Sequence, residues 1–256
     1  MSNTALITGA SVGIGREFAR YHAAQGGDLI LTARRKAELD ALKQELETAH
    51  GIKVHTIALD LAATDGAKAL IEQVGETKVD ILINNAGFGG HGIHTERNIA
   101  DEITMIDLNV KALVELTHAF AGQMVAQGGG KILNVGSTAG FMPGPNQAVY
   151  FATKAFVNSF SQAIDQELRA KGVTCTVLAP GYVETEFAAV ANLEGTDLVK
   201  GGGATAQSVA KHGYDAMMAG KLVTVNEKMV SFLTQWVVPM LPRRMILKMI
   251  AKMQSK

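Results

Sequence analysis

Near the amino terminus the chain reads Ala5-Leu6-Ile7-Thr8-Gly9-Ala10-Ser11-Val12-Gly13-Ile14-Gly15. A short apolar run, Ala5–Thr8, passes directly into a turn holding three glycines. A helical spacing of apolar residues, Ile14–Gln25, follows at once. Glycine permits a tight strand-to-helix turn and lets backbone N–H groups approach an anion, while the helix adds its positive end. Three glycines alone are a weak sign of this. With a buried-type strand before them and an amphipathic helix after, they read as a pyrophosphate-binding βα unit rather than an ordinary glycine-rich turn.

The same rhythm continues outward. Apolar runs at Leu29–Thr32, Val54–Ala58, Ile81–Ile83, Lys131–Val135 and Thr174–Leu178 are short and bounded by Gly, Asp, Asn or Pro. Strands buried on both faces of a parallel sheet have this appearance. Helical spacing fills the intervals at Lys36–His50, Gly66–Val74, Ile99–Ala126 and Ala148–Lys171, and a seventh short strand is expected at Lys221–Val225. Regular alternation predicts an α/β fold: a Rossmann-type doubly wound parallel sheet of about seven strands with helices on both faces. No linker or repeat divides residues 1–256, so one dinucleotide-binding catalytic domain is expected. Residues 192–206, with Gly195 and Gly201-Gly202-Gly203, read as a long loop, and a substrate lid is expected near 186–206. A helical extension is expected near 226–256.

Composition narrows the function. The 256 residues carry 24 Lys+Arg against 24 Asp+Glu, with 47% hydrophobic residues and a mean hydropathy of +0.13. A balanced charge gives no electrostatic case for nucleic acid. The lone Cys175 excludes an internal disulfide and fits a reducing compartment, so a cytoplasmic location is expected. No signal peptide and no run of ~18 apolar residues is evident, so no bilayer span is expected. The seven histidines show no metal-ligand spacing, and no catalytic metal is expected.

The second strand bears on cofactor choice. Readers of NAD place an acidic residue at its end to grip the adenosine ribose. Here the strand closes Leu31-Thr32-Ala33-Arg34-Arg35. The acid is missing, and two arginines can neutralise a 2′-phosphate through planar bidentate contacts. NADP(H) is therefore favoured over NAD(H). The alternative is that the arginines merely flank a solvated helix start.

Tyr150 and Lys154, four residues apart in a helical segment, share one helix face. Bringing a phenol from ~10 to neutrality takes about 4 kcal/mol. An ammonium ~5 Å away supplies roughly 3 kcal/mol at an effective dielectric of ~20. The pair is thus a workable acid–base unit. Such spacing is common on surfaces, but Ser137 follows the fifth strand at the carboxyl end of the sheet, where α/β ligands bind.

These residues carry a resemblance. The sequence resembles the short-chain dehydrogenase/reductase family in its single-domain form, on Thr8–Gly15, Asn84-Asn85-Ala86-Gly87, Asn109, Ser137, Tyr150-x-x-x-Lys154 and Pro180-Gly181. It spans about residues 3–225 and lies closest to bacterial oxidoreductases related to ketoacyl and hydroxysteroid reductases. The resemblance implies hydride transfer between NADP(H) and a carbonyl/secondary alcohol pair. Tyr150 would be the general acid/base, and Lys154 would hold the nicotinamide ribose and lower the tyrosine pKa. Ser137 would hydrogen-bond the reacting oxygen, and Asn109 would support a relay water. Gly9, Ser11, Gly13, Ile14 and Gly15 would receive the pyrophosphate, and Asp60 would meet the adenine. Asn84, Ala86 and Gly87 would line the cofactor channel. Pro180, Gly181, Val183 and Thr185 would close over the nicotinamide. A homodimer or homotetramer is implied as well. Val12 departs from the basic residue that many NADP-dependent relatives carry there, which leaves the preference resting on Arg34 and Arg35.

Several signals are less directed. His91 and His94 lie near the expected pocket mouth, although solvated loop histidines are commoner. Phe141, Met142, Pro143 and Tyr182 form a candidate apolar wall that would favour a lipophilic ketone or aldehyde. In the tail, Met245, Met249 and Met253 repeat every four residues beside Arg244, Lys248, Lys252 and Lys256. This basic amphipathic pattern is read first as docking on a subunit, with membrane-surface contact or partner binding as alternatives. Two rival functions remain: a non-catalytic dinucleotide-binding regulator, and a membrane-surface lipid-pathway reductase targeted by that tail.

Overall fold

In the computed structural model, which describes residues 3–255, the alternating runs become the elements that their patterning implies. In chain order the first half is β1 (Thr4–Thr8), α1 (Gly13–Ala24), β2 (Asp28–Ala33), α2 (Lys36–His50), β3 (Val54–Ala58), α3 (Gly66–Val74), β4 (Ile81–Asn84), α4 (Ile99–Ile106) and α5 (Leu113–Ala126). Then follow β5 (Gly130–Val135), α6 (Ala148–Leu168), β6 (Val173–Leu178), β7 (Val183–Glu184), α7 (Phe187–Val190), α8 (Asp197–Lys200), β8 (Ala204–Thr205), α9 (Ala206–Met218), β9 (Val223–Thr224), α10 (Lys228–Phe232) and α11 (Arg243–Met253).

Seven strands form one parallel sheet in the order β3-β2-β1-β4-β5-β6-β9. The register pairs Leu6 with Ile30 on one side and with Leu82 on the other. Side chains alternate between two cores, as the pleat requires. Ala5, Ile7, Leu29, Leu31, Ile81 and Ile83 face α1, α2 and α9. Leu6, Ile30, Leu82 and Ile132 face α3 and α5. Residues buried on both faces explain why these strands read as continuous apolar runs. The strand order reverses between β1 and β4, which places the ligand crevice above their carboxyl ends.

Three differences from the sequence expectations bear on the site. The helical stretch 99–126 is interrupted by a π-turn at Asp107–Ala112, which carries Asn109. The expected long loop at 192–206 is instead ordered into α8 and the β7–β8 pair. Its Leu193 and Leu198 pack in one cluster with Tyr182, Phe187, Ala188 and Ala191 just before it. The tail helix α11 docks on its own chain: Ile246 and Ile250 are buried against Ala139, Phe151 and Val238. Met245 takes the outer side, Met249 and Met253 are part-exposed at the rim of the cleft, and Lys256 lies outside the described residues. Among the described residues, no helix is long and apolar enough to cross a membrane.

Candidate active site

The glycine turn is held in place from the neighbouring strand, β4. Thr8 Oγ1 accepts from the backbone N–H groups of Asn85 (3.0 Å) and Ala86 (2.9 Å). Asn85 Nδ2 in turn donates to the carbonyls of Thr8 (2.9 Å) and Gly9 (3.2 Å). The loops after β1 and β4 are thereby locked together. Gly9 is left-handed (φ +67°), and a Cβ there would lie 2.8 Å from Asn85 Nδ2 and 2.9 Å from the Ala86 Cα. A Cβ on Gly15 would collide with the Gly9 carbonyl oxygen. Bare backbone and the amino end of α1 therefore face the crevice, a fit for a dinucleotide pyrophosphate.

That crevice is a cleft of about 1180 Å³. Gly9, Ser11, Gly13 and Ile14 line one end with Arg34, Arg35 and Asp60. Ala86, Gly87, Pro180, Gly181, Val183 and Thr185 line the middle, alongside Ser137, Tyr150 and Lys154. Asn84 does not line it: its amide donates to Thr117 Oγ1 (3.1 Å) and Asn134 Oδ1 (2.9 Å) inside the sheet, and Asn85 takes the cleft position. Gly15 is likewise set back, a packing position under Gly9. The two arginines differ. Arg35 Nη2 lies 3.2 Å from Glu186 Oε2 and its Nε 3.7 Å from Glu38 Oε1. Arg34 is exposed and makes no ion pair among the described residues, so its guanidinium is free to meet an anion.

Ser137 caps a 3-10 turn, its Oγ accepting from the Ala139 N–H at 3.1 Å. The same hydroxyl donates to the Pro180 carbonyl at 3.4 Å and stands near enough to the Tyr150 phenol to favour its ionised form. Tyr150 packs its ring on Phe187, with centroids 5.4 Å apart. Lys154 is buried and donates from Nζ to the Val135 carbonyl at 2.8 Å, with Nζ 5.9 Å from the centre of the Tyr150 ring. Burial pushes the phenol up to about 12, opposed by the nearby Ser137 hydroxyl. It holds Lys154 down to about 8. In the protein alone burial is the larger influence on the phenol, and Lys154 keeps two further N–H donors beyond the one that meets Val135.

Asn109 sits in the π-turn behind these groups. Its Oδ1 accepts from the Phe88 N–H (3.1 Å), and its Nδ2 donates to Phe88 O (2.9 Å) and Thr153 Oγ1 (3.1 Å). The side chain thus ties the loop after β4 to α6. His91 and His94 do not reach the cleft. His91 Nε2 contacts the Gln254 carbonyl at 2.6 Å, and His94 stands 3.7 Å from Glu102. Of the proposed apolar wall, Met142 and Tyr182 line the cleft, whereas Phe141 and Pro143 border a separate depression. The sequence reading missed most of the far end, where Gln147, Val190, Val230, Leu233, Met249 and Met253 converge. Only the methionine repeat hinted at it. Among the described residues, no group of three His, Cys, Asp or Glu could hold a metal ion.

Residues 3–195 match the family described as short chain dehydrogenase. Sulfoacetaldehyde reductase of Chromohalobacter salexigens is 44% identical over 196 residues, covering 74% of this chain and 76% of that protein. Two solved structures are also similar. A short-chain dehydrogenase from Sphingobium yanoikuyae in complex with NADPH gives a TM-score of 0.85 at 32% identity, covering 93% of this chain and 92% of that one. A short-chain dehydrogenase/reductase from Burkholderia phymatum in complex with NAD gives 0.82 at 25% identity, covering 94% and 96%.

Proposed function

This chain belongs to the short-chain dehydrogenase family, an oxidoreductase acting on CH–OH/C=O groups, and from that premise we propose that it reduces a lipophilic ketone or aldehyde with NADPH, or runs the reverse. The carrying observation is the meeting of Ser137, Tyr150 and Lys154 on one wall of the cleft that begins at the glycine turn. A non-catalytic binder has no need of that trio.

The backbone of Gly9–Ile14 and the start of α1 would hold the pyrophosphate, Asp60 the adenine, and Ala86 and Gly87 the channel wall. Arg34, free of ion pairs, supports NADP(H) over NAD(H), since a 2′-phosphate gives it the anion it lacks. A bound nicotinamide supplies the hydride and, when oxidised, a positive charge. Tyr150 Oη gives its proton to the carbonyl oxygen in reduction and takes it back in oxidation. Ser137 Oγ holds that oxygen beside the phenol. Lys154, still protonated at neutral pH, orients the ribose hydroxyls and draws the phenolate form down once the site is filled. Asn109 acts at one remove, fixing Phe88 and the loop on which Gly87 lies. Met142, Val190, Met249 and Met253 support an apolar substrate body.

Ile99, Ile103 and Ile106, exposed on α4, and the Phe156–Phe160 stack on α6 support a homo-oligomer. Cys175, a buried free thiol, supports a reducing, cytoplasmic setting. The test is Tyr150→Phe, assayed by NADPH absorbance on a carbonyl series of rising chain length. Cofactor binding should persist while turnover falls about 100-fold or more. Wild-type rates in the variant refute the role of Tyr150, and faster turnover of small polar ketones refutes the substrate class.

A further inference from the structure

Residues 228–240 form a helical segment with two unlike faces: α10, a π-turn at Leu233–Val237 and a 3-10 turn at Val238–Met240. Val230, Thr234 and Val238, four residues apart, line the cleft. On the other side Met229, Phe232, Trp236 and Met240 stand in water at 69%, 56%, 70% and 85% exposure. Large apolar side chains gathered at helical spacing mark a surface that another apolar phase covers. Leu233, Met249 and Met253 are partly exposed and also line the cleft, so apolar side chains lead from this outer surface toward the chamber beside Tyr150.

Charge indicates what the covering phase is. After Glu227 the chain has Lys228, Arg243, Arg244, Lys248, Lys252 and Lys256 and no acidic residue. The remainder carries 18 basic against 24 acidic residues, so positive charge is gathered into this one segment. The five of these that the structure describes are all exposed. A second copy seated here about a two-fold axis would set the basic segment against itself, like charge on like. An anionic lipid surface satisfies both properties, taking apolar side chains into its interface and basic ones at its headgroups. We propose that this face docks the protein on an anionic membrane surface, with Phe232 and Trp236 entering the acyl boundary and the mouth of the cleft turned to the lipid.

Trp236 is the single tryptophan of the chain and reports on the contact directly. The full-length protein is mixed with vesicles of phosphatidylcholine containing phosphatidylglycerol, or of phosphatidylcholine alone. A blue shift of tryptophan emission and co-sedimentation with the anionic vesicles, both weakened by salt, are expected. Arg243→Gln/Arg244→Gln/Lys248→Gln should weaken binding about a hundredfold. Met229→Gln/Phe232→Gln/Met240→Gln should weaken it at least about tenfold. NADPH affinity measured in parallel shows that each variant is folded. Absence of binding to anionic vesicles overturns the proposal, as does undiminished binding by either triple variant. A blue shift without lipid that grows with protein concentration, matched by sedimentation velocity, assigns the stripe to a second copy and overturns it equally.

Discussion

Replacing Lys154 by Met should change how stability responds to pH in a way that the site geometry fixes. Burial lowers the ammonium from 10.5 to about 8, so the folded chain binds that proton less tightly than the unfolded chain does. The stability associated with this group is complete above the unfolded pKa and is lost as pH falls through the folded one. That lowering makes the buried charge cost about 3 kcal/mol at pH 7 and under about 1 kcal/mol at pH 10. Methionine keeps the stem and removes the charge, but it strands the Val135 carbonyl, which Nζ meets at 2.8 Å. That loss is about 1–3 kcal/mol at every pH. Absolute stabilities therefore mix two effects, whereas the pH trend isolates one. Urea denaturation of both proteins between pH 7 and 10 should show wild type gaining roughly 2–3 kcal/mol relative to the variant. Tyr150, raised rather than lowered, stays protonated in both states over most of this range. A difference that stays flat from pH 7 to 10 would falsify the assignment of a strongly desolvated ammonium.

Three further outcomes follow from the geometry. Arg34→Ala should weaken NADPH binding about tenfold or more and leave NADH nearly unchanged, because a charge-assisted phosphate contact is lost; equal losses for both, by fluorescence titration, would remove the 2′-phosphate role. Glu186→Gln frees the Arg35 fork now shared with Glu186 and should tighten NADPH binding by a few fold, about 0.5–1 kcal/mol for an exposed pair; calorimetry showing no change would mean that Arg35 takes no part. Gly15→Ala sets a methyl group against the Gly9 carbonyl and should lower the melting temperature and cofactor affinity together, whereas unchanged affinity in a folded variant would show that the turn tolerates a Cβ.

The sheet could be read from one dimension because each strand is buried on both faces by its own neighbours, and β-branched runs bounded by turn residues record that locally. The same holds for Tyr150 and Lys154, whose juxtaposition is a property of one helix. What escaped reading depends on partners distant in sequence. The difference between Asn84 and Asn85 lies in which way the last strand residue points, and Asn134 and Thr117 decide it. Arg35 met Glu186 from 151 positions away, and nothing about either residue announces the other. The tail showed its methionines, yet the side that docks is Ile246 and Ile250, because packing selects the branched residues that fit between Ala139 and Phe151. The interruption of 99–126 at the π-turn left no pattern, since a single added residue per turn scarcely disturbs apolar spacing.

The bolt between Thr8 and Asn85 has a temporal meaning. The first glycine turn is written in the opening fifteen residues, but its shape is completed by amides some seventy-seven positions later. A growing polypeptide cannot present a finished nucleotide seat until β4 has emerged and paired beside β1, so ligand-driven stabilisation begins late in synthesis. Fragments ending before Asn85 should be blind to dinucleotides, however faithfully they carry the motif.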